Sequence, residues 1–235
     1  ISSAGNVYQV LLDSTDNSLV EAWKATDPTS SFSEQDSADK PNLTNNISAM
    51  SLFQVGDILH IATQEYATRR VAYHTFSMAT DQWVTVNQEA ATPNSSDYGI
   101  VSIAVRSDGD VIILYQSLVG IWRSVRYARK DSGVWTSNIQ VDNGGSIDWD
   151  AGVAVLGSND RIHFFFQDRT NNDGCQRCLR SDNTLESFPS AFDISIYTAG
   201  VAFGQGVAYL SGGATKVRVP YLDASIKFSI VKFDS

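Results

Sequence analysis

A turn bearing glycine or aspartate, followed by a short apolar run that ends on a polar residue, returns about every fifty residues along this chain. The copies read Gly5-Asn6 with VYQVLLD, Gly56-Asp57 with ILHIATQ, Asp108-Gly109 with DVIILYQ, and Asn159-Asp160 with RIHFFFQ. Their end residues Asp13, Gln64, Gln116 and Gln167 stand 51, 52 and 51 positions apart. Such a period marks a stacked or radial repeat, in which each unit buries its apolar faces against its neighbours.

Within one period the order of elements is legible. In the third copy GIVSIAVRS, DVIILYQ, IWRSVRYARK and VWTSNIQV are four short runs separated by turn signals, without a ten-residue stretch of helical period. The second copy repeats them with AMSLFQV, ILHIATQ, RVAYHTFSM and WVTVNQE, and the fourth with GVAVLGS, RIHFFFQ, GCQRCLRS and TLESFPSAF. A bulky residue opens the last run at Phe32, Trp83, Trp135 and Leu185. The pattern predicts an all-β chain, a β-propeller of four-stranded antiparallel blades, about five in number. One domain spans 1–235, with repeats at about 5–47, 48–98, 99–149, 150–196 and 197–235. The fifth copy is read as AGVAFGQG, VAYLSGG, KVRVPYLDA and SIKFSIVKF, while the first has no innermost strand ahead of Asn6. The chain is therefore either a ring closed by a strand from elsewhere or a piece of a larger ring.

Length and composition allow one large β domain with a substantial core. The formal net charge of −9 argues against a phosphate-binding surface and so against nucleic-acid partners. No apolar run approaches a membrane span, so membrane insertion is not expected. Cys175 and Cys178 form a lone Cys-x-x-Cys with no second pair for a zinc site, and are read as incidental strand cysteines or a local disulfide. His60 and His163 occupy one repeated strand position, so they recur with the fold and do not imply a metal. Neither cofactor nor metal is expected. Asn42-Leu43-Thr44, Asn46-Ile47-Ser48 and Asn94-Ser95-Ser96 match the glycosylation sequon and indicate exposable loops.

In a propeller the blade-to-blade loops share a face with the loops between second and third strands, and binding residues gather on such rims. The repeat alignment places Tyr98, Asp148 and Trp149 in blade-to-blade loops. It places Tyr66, Arg69 and Arg70, then Trp122 and Arg123, then Asp168 and Arg169, in the other loops of three successive copies. The candidate ligand-binding set is Tyr66, Arg69, Tyr98, Trp122, Arg123, Asp148, Trp149 and Arg169. Aromatic faces stack on sugar rings and Asp or Arg supply directional hydrogen bonds. The competing reading packs Tyr98 and Trp149 between blades and leaves the arginines in water.

RSVRYARKDSGVW, with its Asp131-Ser132-Gly133-Val134-Trp135 turn, resembles the Asp-box of sialidase-like (BNR-type) propellers, with Arg129 where that motif has Ser or Thr. The series DGDVIILYQ, VRYARKDSGVW and SNDRIHFFFQD is also similar in texture to propellers of phage virion and tail-associated proteins and of extracellular glycan-binding proteins. The resemblance implies display outside the cell or on a virion surface. It also implies contact with a glycan, a cell-surface receptor or other subunits of an assembly. The expected function is accordingly a non-catalytic recognition or structural module. The alternative is a sialidase-like glycoside hydrolase, in which Arg69 or Arg70, Arg123 and Arg169 hold a substrate carboxylate and Glu65 lies beside Tyr66.

Overall fold

The computed structural model describes residues 1–93, 101–119, 122–141, 148–156, 162–168, 175–180, 192–195, 202–203, 207–211, 214–222 and 228–234. Its side chains are described within 1–93, 101–117, 125–139, 141, 162 and 164. Among the described residues every regular element is a strand, and every pairing between strands is antiparallel. The fold is propeller-like.

The first sheet has three strands in the order β1 (Val7–Leu12), β2 (Val20–Ala25), β3 (Ser33–Gln35). Three four-stranded meanders follow. The second sheet is β4 (Ile47–Val55), β5 (Ile58–Glu65), β6 (Val71–Ser77) and β7 (Gln82–Ala91). The third is β8 (Val101–Val105), β9 (Val111–Val119), β10 (Trp122–Asp131) and β11 (Val134–Gln140). The fourth is β12 (Asp148–Leu156), β13 (Ile162–Asp168), β14 (Cys175–Arg180) and β15 (Phe192–Ser195). These four sheets each pair strands in sequence order, and the two-residue connections β4–β5 and β10–β11 are tight hairpins.

The fifth sheet departs from the expected copy. Its strands are β16 (Ala202–Phe203), β17 (Val207–Ser211), β18 (Ala214–Leu222) and β19 (Phe228–Asp234). β19 occupies one edge of β18, and β16 and β17 both pair with the other, through Phe203↔Tyr221 and Val207↔Arg218. The described parts of AGVAFGQG and VAYLSGG, β16 and β17, therefore lie end to end along β18 rather than side by side. In the fourth sheet the last described strand lies at Phe192–Ser195, and all of TLESFPSAF but Phe192 lies outside the described residues. Leu185, read as opening that strand, lies outside the described residues.

Apolar layers fill the spaces between successive sheets. The first joins Val20, Ala22, Ile61, Phe76 and Trp83, with Tyr8, Val10 and Leu12 against it. The second joins Ala62, Val71, Tyr73, Val101, Ile103, Ile113 and Tyr115, and the third joins Ile112, Leu114, Val125, Tyr127, Ile162 and Phe164. Alternate side chains of a strand leave opposite faces, so Ile61 and Ala62 of β5 serve different layers, as do Ile112 and Ile113 of β9. A strand packed on both faces is apolar along its packed length, as Val111–Tyr115 is, every residue of it buried.

The two aligned tryptophans take equivalent places, each second in its sheet's last strand. Trp83 is buried and meets Phe76 edge-on at 5.2 Å. Trp135 is partly buried and crosses to the neighbouring sheet, meeting Tyr73 edge-on at 5.5 Å.

Candidate functional site

The turn joining β5 to β6 gathers the polar groups that the repeat alignment points to. Gln64, at the aligned position, is buried, and its amide donates to the Arg69 carbonyl at 3.3 Å. Arg69 adopts a left-handed φ of 63°, which L residues rarely take. That turn brings its guanidinium carbon to 4.8 Å from the centre of the Tyr66 ring, within cation-π range. Arg69 is only 5% exposed, whereas Tyr66 is 49% exposed. The guanidinium thus lies over a ring that is about half exposed.

Behind them Glu65 is 1% exposed. Its Oε2 accepts from the Thr68 hydroxyl and, at 3.2 Å, from the Asn45 amide; its Oε1 lies 3.6 Å from Arg70 Nε. Burying a carboxylate is costly unless donors and a counter-charge surround it, and this turn supplies both. Backbone bonds from Glu65 N to Arg70 O at 3.0 Å and Tyr66 N to Asn46 O at 2.7 Å fix the turn against the start of β4. The cluster offers a stacking face, a guanidinium behind it and a buried carboxylate within one turn.

The other expected site residues divide by what the structure describes. Tyr98 and Arg169 lie outside the described residues. Trp122 and Arg123 are not loop residues, because they open β10 and pair with Val119 and Leu118 of β9. Asp148 and Trp149 likewise open β12, with Asp148 opposite Asp168 of β13. The expected start of this strand came later because register shifts between Asp148 and Val153 disguise its period. Each pair still stands at the end of its sheet where the second strand finishes, the end that carries Tyr66 in the second sheet.

Two parts of the arrangement escaped the sequence reading. The buried role of Glu65 was hidden, although the residue after each aligned glutamine is polar, as at Ser117 and Asp168. The other part is a knot between the second and third sheets. The Lys130 ammonium sits 4.8 Å from the Tyr73 ring centre and 5.8 Å from that of Trp135, and donates to Gln88 Oε1 at 2.9 Å. Burial lowers the Lys130 pKa. His60 Nδ1 lies 2.7 Å from the Tyr73 hydroxyl, and burial, aided by Lys130, lowers the imidazole pKa to about 4. This histidine is a satisfied strand residue. His163 and both cysteines fall where side chains are not described, although Cys175 and Cys178 do lie in β14. Among the described residues no group of three metal-ligating side chains converges.

The Asp-box resemblance also takes a specific form. Ser132 and Gly133 both have positive φ, 49° and 88°, making a two-residue hairpin turn of the kind that matches strand twist. In the second sheet Asp81, just ahead of β7, instead reaches across to the first sheet, 2.6 Å from Lys24 Nζ and 2.5 Å from the Tyr8 hydroxyl.

No protein-family model matches the sequence, and no curated protein is significantly similar to it. Solved structures do resemble the fold. Over the whole of this chain it is similar to an ulvan lyase representing a new family of polysaccharide lyase, with a TM-score of 0.69 and 11% identity. It spans 63% of that chain. A protein of unknown function from Dyadobacter fermentans matches over 80% of this chain and 65% of its own, at a TM-score of 0.56 and 11% identity. An exo-β-1,3-galactanase from Phanerochaete chrysosporium, solved with β-1,3-galactotriose, matches over 85% of this chain and 52% of its own, at 0.51 and 15%. The chain therefore spans less than two thirds of each solved chain named here.

These likenesses correct the functional expectation. Two of the three structures are enzymes that act on carbohydrate, so the reading of a non-catalytic surface module is withdrawn. The resemblance to sialidases reduces to a propeller-like fold.

Proposed function

We propose that this chain is the propeller of a carbohydrate-active enzyme that cleaves a glycan chain, and that the turn end of its sheets contacts the sugar. The observation that carries the reading is the likeness to part of a polysaccharide lyase over the residues of this chain, and identity this low makes it support for the fold first. The local chemistry agrees. Tyr66 offers an exposed ring for stacking, Arg69 stiffens it, and Arg70 and Glu65 provide charge at the same turn. Trp122, Arg123, Asp148 and Trp149 extend the contact along neighbouring sheets, with Tyr98 and Arg169 as its remaining members. In this reading the sheets are blades around one axis, and a polymeric substrate is met outside the cell.

Cleavage could proceed by hydrolysis or by elimination, and one assay distinguishes them. Incubation with a panel of neutral and uronate-containing polysaccharides should release new reducing ends. Elimination adds the ultraviolet absorbance of an unsaturated uronate, whereas hydrolysis does not. A fluorogenic sialoside tests the sialidase-like form of hydrolysis in the same experiment. Tyr66→Ala should lower kcat/KM about tenfold or more, the equivalent of about 1.4 kcal/mol in transition-state binding, with an unchanged circular dichroism spectrum. No reducing ends from any polymer or sialoside would overturn the enzymatic reading, and full activity of the Tyr66 variant would move the site elsewhere.

A further inference from the structure

We infer that the edge of β1 that no described strand pairs is the seat of an innermost strand, supplied by polypeptide that enters the Ser2–Asn6 turn from its N-terminal side. Three observations converge on this, and none depends on catalysis.

The first is a turn repeated bond for bond. Ser2 N donates to Asn6 O at 2.9 Å and Gly5 N to Ser2 O at 2.9 Å. In the third sheet Arg106 N donates to Asp110 O at 2.9 Å and Gly109 N to Arg106 O at 3.0 Å. Gly5 and Gly109 share positive φ values of 83° and 92°. The Arg106–Asp110 turn is the one that carries the chain from β8 into β9, with Val105 opposite Val111. By this correspondence Ile1 holds the place of Val105, the last residue of an inner strand, and Val7 the place of Val111.

The second is where Ile1 sits. The Gln54 amide donates to the Ile1 carbonyl at 2.8 Å, and the Ile1 amino group donates to Gln54 Oε1 at 3.1 Å. Gln54 belongs to β4, the inner strand of the second sheet. Inner strands touch in the same manner further along, where Ile103 N of β8 donates to the Ser51 hydroxyl of β4 at 3.2 Å. The Ser2–Asn6 turn is also tied to the turn after β4, since Ser3 N donates to Asp57 Oδ1 at 2.6 Å and the Ser3 hydroxyl bonds Asp57 Oδ2. Ile1 is therefore already in the row of inner strands.

The third is the vacant ladder. Among the described residues β1 pairs only with β2, whereas its counterparts β5 and β9 are paired on both edges. An edge of unpaired N–H and C=O groups beside a hydrophobic layer recruits a strand. The occupant runs antiparallel to β1, and its chemistry is that of its equivalents SLFQV in β4 and VSIAV in β8, mainly apolar with one or two polar positions.

Two proteins test this: the 235-residue chain, and the same chain with Val-Ser-Ile-Ala, copied from β8, fused ahead of Ile1. A Gly-Ser extension of equal length serves as control. The Val-Ser-Ile-Ala extension should raise Tm by about 5 °C or more. It should also slow hydrogen exchange of the β1 amides not bonded to β2 by about tenfold or more. Overturning outcomes are equal effects of both extensions, or slow exchange of those amides in the unextended chain, which would mean another segment already covers the edge. Because the readouts are stability and exchange, failure here leaves the proposed cleavage activity untouched.

Discussion

His74 is fully buried in the second sheet, and its two ring nitrogens are assigned by their partners. Nδ1 lies 3.0 Å from the Asn87 backbone nitrogen, which can only donate, so Nδ1 accepts and Nε2 carries the proton toward Thr63 Oγ1 at 2.9 Å. Burial, helped by Arg70, lowers its pKa from 6.5 to about 3, and burial lowers that of His60 to about 4. Both groups bind protons more weakly in the folded chain than in the unfolded one. Their contribution to stability is thus complete above about pH 6.5 and is lost as pH falls through the window down to about 3 and 4. Each steepens the loss by at most about 1.4 kcal/mol per pH unit. Thermal melts from pH 7 to pH 4 should show falling Tm, and His74→Gln should flatten the slope; an unchanged slope would remove His74 from the account. Trp83 tests packing at the same scale. Its truncation to Ala empties the layer between the first two sheets and should cost about 3–5 kcal/mol in urea unfolding.

Hairpins are the elements that this sequence announces most clearly, because their turns need unusual backbone and their strands are short. Gly109 has a φ of 92° with nothing within 4 Å of where a Cβ would stand. Gly109→Ala should therefore cost about 1–2 kcal/mol through backbone strain alone, measurable as a lower urea midpoint at unchanged m-value. Glycine and aspartate turns made the bounds of β5, β6 and β10 readable almost to the residue, while β9 runs three residues past the Gln116 at which its run was read to end. Where the signal was irregular the reading slipped. Bulges delayed the expected start of β12, and the Gly-rich GVAFGQGVAYLSGG suggested a hairpin where β16 and β17 run in line. The candidate site was half legible. Tyr66 and Arg69 came from the alignment, but the burial of Glu65 depends on Asn45 and Arg70 reaching it from two sides. No local pattern encodes such a meeting.

At the scale of the molecule, sheets adhere through apolar layers and a few polar ties between neighbours. Asp81 ties the first sheet to the second, engaging both Lys24 and Tyr8. Both partners are partly exposed, so Asp81→Ala should cost only about 1–2 kcal/mol. It should also loosen the first sheet selectively, seen as faster hydrogen exchange in β1 and β2 before the third sheet responds; uniform loosening would contradict a nearest-neighbour architecture. The layers themselves impose a condition on descent. Because β9 is apolar on both faces, a slip of one residue would exchange one oily face for another, and polarity could not object. Registration falls to the turns. An insertion or deletion beside Gly56 or Gly109 would misalign a whole sheet while leaving its hydropathy profile untouched. The spacings of 51, 52 and 51 between aligned strand ends are what remains when copies drift freely in side chain but are held to length.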